Sequence, residues 1–285
     1  MKNKFYLRFK IQDSRYRKFA WFLVLGSWLL FLSSCEKVIN LDLKSADQKV
    51  VVQGNITNAP GPYIVNLNYS VAYYNDNSFP AITGALTKIY DDAGNSETLI
   101  ETTQGIYKTS SLIGTPGRKY TIEIIANGNT YTGVSTMSSP ISIDSITFQP
   151  SISRSTNVVS GYRVICKFTD PIGIGNFYRL TINSNDTTNL GSTTSRIIAD
   201  KLNDGAQLSI TFRTKLVVGD TVNIQLQCID KSAYDFYNTL NGAIGSSSVG
   251  QLLAALPANP ISNISNGELG YFSAYSVSKM SAVVK

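Results

Sequence analysis

Lys119–Val134 reads KYTIEIIANGNTYTGV, and this stretch decides the fold. Apolar and polar side chains alternate through Tyr120, Ile122 and Ile124, the period of two that belongs to a half-buried strand. A second alternating run follows Asn127-Gly128, the pair that tolerates the positive φ angles of a type I′ turn, so the stretch predicts a β-hairpin. The same pattern extends outward on both sides. KVVVQGNIT (Lys49–Thr57), YIVNLNYSVAY (Tyr63–Tyr73) and ALTKIYDD (Ala85–Asp92) lie upstream, and GYRVICKFT (Gly161–Thr169), AQLSITFRT (Ala206–Thr214) and DTVNIQLQCID (Asp220–Asp230) lie downstream. Period-two runs broken by turn residues every ten or so positions predict an all-β protein built from sandwiches.

The pattern breaks near Ser138-Ser139-Pro140, which divides the chain into two β-sandwich-like domains, 49–140 and 141–285. Within 84–134, GALTKIYDDAGNSETL, GIYKT and the opening hairpin follow one another in an order that resembles the transthyretin-like, carboxypeptidase-regulatory sandwich. That resemblance implies a Greek-key module in the N-terminal domain. The C-terminal half reads as an antiparallel sandwich with one short helical insertion near 232–256. In it SAYDFYNTLNGA places Ala233, Tyr237, Leu240 and Ile244 on one face, with Ser232 as the expected cap.

Residues 1–34 read as an address. Seven Lys and Arg against one acid precede Phe19–Leu32, an apolar run of 14 residues. A spanning helix needs about 20, so this is the apolar core of a signal peptide. Leu32-Ser33-Ser34-Cys35 resembles the bacterial lipobox, which implies lipidation of Cys35 and cleavage before it. Several acyl chains on one residue anchor a protein stably at a membrane, about 0.8 kcal/mol per buried methylene. Residues 35–48 then serve as a tether. Glu36 follows the cysteine rather than an aspartate of inner-membrane retention, which favours the outer membrane, periplasmic or surface-exposed.

The whole chain carries +6, but seven of its 25 basic residues and one of its 19 acids lie in the signal segment, leaving 18 of each. A neutral chain whose basic residues are scattered singly, apart from Arg118-Lys119, is not built for nucleic acid.

There is no histidine, which removes the Ser-His-Asp and Cys-His arrangements and histidine-ligated zinc. A carboxylate-pair hydrolase needs two acids facing one cleft. The close pairs are Asp91 with Asp92, Asp200 with Asp204, and Asp230 with Asp235, and all read as solvated turn carboxylates. Asp91–Glu97, DDAGNSE, offers oxygens at odd spacings but reads as a hairpin tip that needs no metal. No catalytic residue, metal or cofactor is expected. Cys166 and Cys228 each lie on the apolar face of a strand. Two buried free thiols are preferred, with a disulfide between them as the alternative.

Three longer strings are more specific: FTDPIGIGNFYRL (Phe168–Leu180), LVVGDTVNIQLQCIDKSAYDFYNTL (Leu216–Leu240) and PANPISNISNGELGYFSAYSV (Pro257–Val277). With the lipobox and VVVQGNIT they resemble the lipoproteins of the domain-of-unknown-function 4249 family. Physically, Asp170-Pro171 with Gly173 and Gly175 is a turn, read as structural before it is read as a binding loop. Tyr271, Phe272 and Tyr275 belong to a last strand, serving a core or a partner surface. The resemblance implies a cell-envelope lipoprotein of a diderm bacterium, commonly encoded near TonB-dependent outer-membrane transporters, with no established activity. The expected function is a non-catalytic accessory to such a transporter in nutrient capture or handover. The alternatives are an envelope or surface-assembly lipoprotein without a small ligand and, more remotely, a carboxylate-pair hydrolase.

Overall fold

The alternation becomes strand after strand. The computed structural model describes residues 47–71, 79–153, 155, 158–185, 194–200, 204–245 and 259–285. The signal segment 1–34, Cys35 and most of the tether 35–48 lie outside the described residues.

In chain order the strands are β1 (Val50–Thr57), β2 (Ile64–Tyr69), β3 (Leu86–Asp91), β4 (Ser96–Thr98), β5 (Ile100–Thr103), β6 (Ile106–Lys108), β7 (Lys119–Ala126) and β8 (Asn129–Thr136). They continue with β9 (Ile143–Ile152), β10 (Val159–Thr169), β11 (Phe177–Ser184), β12 (Thr194–Ala199), β13 (Gln207–Leu216) and β14 (Thr221–Ile229). Helix α1 (Lys231–Gly245) follows, and after a 3-10 turn at Ser265–Gly267 comes β15 (Leu269–Val283). The predicted hairpin is β7 and β8, paired from Lys119↔Thr136 to Ala126↔Asn129 around Asn127 and Gly128, both at positive φ.

Two sandwiches result. In the first, β15-β1-β2-β6-β5 forms one layer and β4-β3-β7-β8 the other. Val52, Val65, Leu67, Ile89, Tyr120, Ile122 and Ile124 fill the space between them. In the second, β12-β11-β14-β15 faces β13-β10-β9 around Val164, Phe168, Leu180, Phe212, Ile224 and Leu226. The architecture is all-β and sandwich-like, with one α-helix among the described residues.

The expected division at Pro140 gives all of 141–285 to the second sandwich. Instead Ile264, Phe272 and Ala274 pack in the first core, because β15 is shared. Its residues 269–275 pair in parallel with β1, and residues 276–283 pair antiparallel with β14. The segment before it also closes the edge of β8. Asn263 Nδ2 donates to Val134 O (3.0 Å) and Phe272 O (2.7 Å), and Phe272 N donates back to Asn263 Oδ1 (2.9 Å). That clamp accounts for the conformation of NPISNIS, a string without hydrophobic periodicity.

Residues 46–285 form one compact unit. No helix among the described residues is long and apolar enough to cross a membrane.

The shared strand depends on Gly270. It lies at φ +95° opposite Val52, and a Cβ there would sit 1.8 Å from Val52 O, inside the β1 backbone. Replacing Gly270 by Ala adds left-handed strain to that clash. Urea unfolding should show a loss of about 3 kcal/mol or more, or no folded protein; a variant of unchanged stability would disprove the role given to this residue.

Candidate functional site

The outer face of the sheet β12-β11-β14-β15 carries the concentration of aromatic and cationic groups with the clearest means of recognising a ligand. Period two sends Tyr178 and Leu180 of β11 into the second core and leaves Phe177 and Arg179 on the opposite face. On β15, Phe272 and Ala274 are buried in the first core, while Tyr271 and Tyr275 alternate with them and are half-buried.

Helix α1 packs over this face, against β11, β12 and β15. Its cap is not Ser232 as expected. Asp230 Oδ1 accepts from Ala233 N (2.9 Å) and from the Ser232 hydroxyl (2.9 Å), so Asp230 is the N-cap residue. Its other oxygen accepts from Ser135 Oγ (2.7 Å) and Thr136 N (3.0 Å), which fixes the helix start to β8. Ala233 and Phe236 are buried, and Tyr237 and Leu240 are half-buried. Phe236 was missing from the expected face. The side chain of Ile244 and the remainder of the expected insertion, 246–256, lie outside the described residues.

Ring centroids lie 4.9 Å apart for Phe177 and Tyr234, 4.4 Å for Phe236 and Tyr271, and 5.2 Å for Tyr237 and Tyr271. Arg179 Cζ stands 4.3 Å from the centroid of the Tyr237 ring, a cation–π contact. Its Nη1 donates to Oε1 of Gln227 (3.0 Å), the residue opposite it on β14. Burial raises the Tyr275 hydroxyl to about 12, with neighbouring Tyr271 adding to the shift and Arg179 opposing it. Tyr237 is raised in the same way. These hydroxyls therefore remain protonated donors at neutral pH.

The other sequence candidates are placed differently. Asp91 and Asp200 are buried, so the reading of solvated turn carboxylates fails for them, while Asp92 and Asp204 are exposed. Asp91 Oδ1 accepts from Ala93 N (3.0 Å) and Asn95 N (2.8 Å), and Oδ2 accepts from Asn95 Nδ2 (2.9 Å) and Arg118 Nη1 (2.6 Å). Glu97 accepts from the backbone of Ser110, Ser111 and Leu112. These two acids line a polar cleft of about 430 Å³ with Arg118. Protein groups hold the hairpin tip through the oxygens that a calcium ion would need.

Asp230 caps α1, and Asp235 pairs with Lys231 at 2.6 Å. Asp200 and Asp204 meet a third acid that sequence reading left out, Asp170, with carboxylate oxygens all within 4.8 Å of one another. Asp170 accepts from Tyr178 OH and from Gly205 N (3.2 Å), and Asp204 accepts from Gly173 N (2.6 Å), so the acids tie the DPIGIG turn to the 204–206 loop. Ile172 and Ile174 of that turn are 91% and 82% exposed.

Cys166 and Cys228 are buried free thiols. They stand on strands of opposite layers, β10 and β14, and burial pushes Cys166 up to about 12. Cys35 lies outside the described residues.

The family model described as a domain of unknown function, DUF4249, matches residues 36–281. The chain belongs to this family. No curated protein matches it. The DUF4249 match begins at the residue after Cys35 and ends within β15, so it takes in both cores and the aromatic face.

The hairpin tip makes the first sandwich sensitive to acid. Burial alone would raise Asp91 and Glu97, but hydrogen bonds outweigh it: Asn95, Arg118 and Ala93 donate to Asp91, and Ser110, Leu112 and Ser111 to Glu97. Both carboxyls are held below their ordinary values. Their stabilisation is therefore fully present above the ordinary carboxylate range and is lost as pH falls through the lowered values. The urea midpoint should hold between about pH 7 and 5 and fall below about pH 4. The D91N variant should be less stable at neutral pH and show a shallower fall; an identical pH profile would refute the assignment.

Proposed function

We propose that this chain is a lipid-anchored, non-catalytic protein of the cell envelope that serves a TonB-dependent outer-membrane transporter as an accessory in nutrient capture or handover. The observation that carries the reading is the half-buried cluster of Tyr237, Tyr271, Tyr275 and Arg179, packed on buried Phe236, on the outer face of the sheet. Tyrosine and arginine are enriched among the residues that dominate binding energy, where they combine large contact area with polar groups that fix orientation. A spacer needs no such group on its outer face. The lipobox at Leu32–Cys35 and the neutral balance of charge beyond it support an anchored body that meets its partner at a membrane.

Anchoring is tested first. With Cys35 replaced by Ser, no thiol is left to take the lipid, so the precursor should stay uncleaved and take up no fatty-acid label in growing cells; a labelled variant would end the lipoprotein reading. The accessory role is tested by isolating a tagged chain from its native membranes in mild detergent. A TonB-dependent transporter should co-purify in near-stoichiometric amount, and recovery of the lipoprotein alone under those conditions would overturn the role.

A further inference from the structure

The second sandwich has a pole that its own packing leaves bare. The chain turns over between Ile152 of β9 and Val159 of β10, and passes from β13 to β14 through Val217 and Val218. The end of β15 lies beside that second loop, where Gly219 N donates to Val284 O (2.9 Å). The two loops are neighbours: Tyr162 pairs with Leu216, and a Cβ on Gly161 would sit 2.9 Å from Cα of Lys215. Ile152, Val158, Val159, Val217 and Val218 are 61%, 62%, 49%, 51% and 64% exposed. Aliphatic groups gathered in this way on a surface mark a contact site.

Behind the aliphatic tip stands a cluster of like charge. Phe212, Thr214 and Leu216 are buried, so Arg213 and Lys215 point outward, and Arg163 points the same way from β10 at the bulge between Tyr162 and Val164. The ion pairs among the described residues, Arg118 with Asp91 and Lys231 with Asp235, include none of these three. The segments 145–169 and 205–219 contain no acid. Asp220, the acidic side chain at this pole among the described residues, is buried and accepts from Val217 N (2.8 Å). Asp144, Asp170 and Asp230 lie at the opposite end of the same strands. Like charges on neighbouring strands repel, and an anionic partner removes that cost.

We propose that this pole docks on an anionic lipid leaflet. The valines and Ile152 enter the acyl boundary, and Arg163, Arg213 and Lys215, two to four residues behind them, meet the phosphates at headgroup depth. Lipid fits better than a protein partner, because valine is under-represented among the residues that dominate protein–protein binding and the tip presents no aromatic anchor. The stretch 35–48 reaches at most about 50 Å, and β15 runs about 50 Å from the end where the chain enters to this pole. The pole can therefore rest on the leaflet that holds Cys35. The inference goes beyond the accessory role, and the test leaves out the anchor.

Residues 46–285 hold both cores and can be studied without the signal segment. This body should sediment with vesicles of equimolar phosphatidylcholine and phosphatidylglycerol but not with phosphatidylcholine alone, and added salt should weaken binding. R213Q/K215Q should weaken it about twentyfold, at about fivefold per cation, whereas K88Q/K119Q, an equal loss of charge on the first sandwich, should leave it unchanged. V217N/V218N keeps the charge and should weaken it about tenfold or more. Both tryptophans of the chain, Trp21 and Trp28, lie outside this body, so V218W gives a single reporter whose emission should shift to the blue on the anionic vesicles.

No sedimentation with the anionic vesicles, equal binding to phosphatidylcholine, undiminished binding of R213Q/K215Q, or an unshifted V218W emission would each overturn the proposal. So would a dimer that V217N/V218N dissociates, which would make a second copy the occupant, or a transporter that co-purifies with the native chain and is lost from V217N/V218N. A transporter retained by V217N/V218N leaves the accessory role standing whatever the vesicles show.

Discussion

Everything in this fold hangs on the double pairing of β15. Leu269–Tyr275 completes the first sandwich by lying parallel to β1, and Ser276–Val283 completes the second by lying antiparallel to β14. A parallel partner cannot be reached by a hairpin, so Val51 waits for Leu269 across nearly the whole chain. The first core is consequently not a self-sufficient N-terminal domain. Phe272 and Ala274 occupy it, and Gly133 on β8 keeps the space open, since a Cβ there would meet Phe272 Cβ at 3.0 Å. Contacts of such long separation make for slow folding and a late closing step.

The shared strand also accounts for where the aromatic face lies. Once β15 is in place, the sheet that crosses from one sandwich to the other has an outer side that needs cover, and α1 supplies it. Asp230 aims the helix by capping it and gripping Ser135, whose hydroxyl also accepts from Ala274 N of β15 at 2.8 Å. One carboxylate and one hydroxyl thus register helix, β8 and β15 together. Arg179, Tyr237 and Tyr271 are brought close by that registration, from three elements far apart in sequence.

Local chemistry was legible in the sequence, and assembly was not. The hairpin at Asn127-Gly128 could be read because a turn and its two strands are neighbours, and Cys166 and Cys228 were assigned inward-facing positions from alternation alone. The same alternation places Phe177 and Arg179 on the face away from Tyr178, but only the fold says that α1 lies there. Ser232 looked like the cap because it begins the apolar period; Asp230, two residues earlier, holds the position through its own strand end. Asp170 was hidden inside a proline and glycine turn, where an acid is ordinarily solvated. The claim of β15 on both cores leaves no local mark, since parallel pairing with β1 depends on a partner more than two hundred residues away.

The parallel arrangement of β1 and β15 has a mechanical meaning. The chain enters β1 at Val50, beside Leu269, and β15 leaves in the same direction toward Val283 at the other end of the second sandwich. A pull between the N-terminal end of β1 and the far end of β15 therefore loads the ladder of Val51–Thr57 along its length. Its hydrogen bonds must then slide and fail together, whereas a hairpin pulled from its two open ends unzips one rung at a time. A body held by its N-terminus and drawn on from the opposite pole is in this way gripped in shear, the geometry in which a short sheet resists force best.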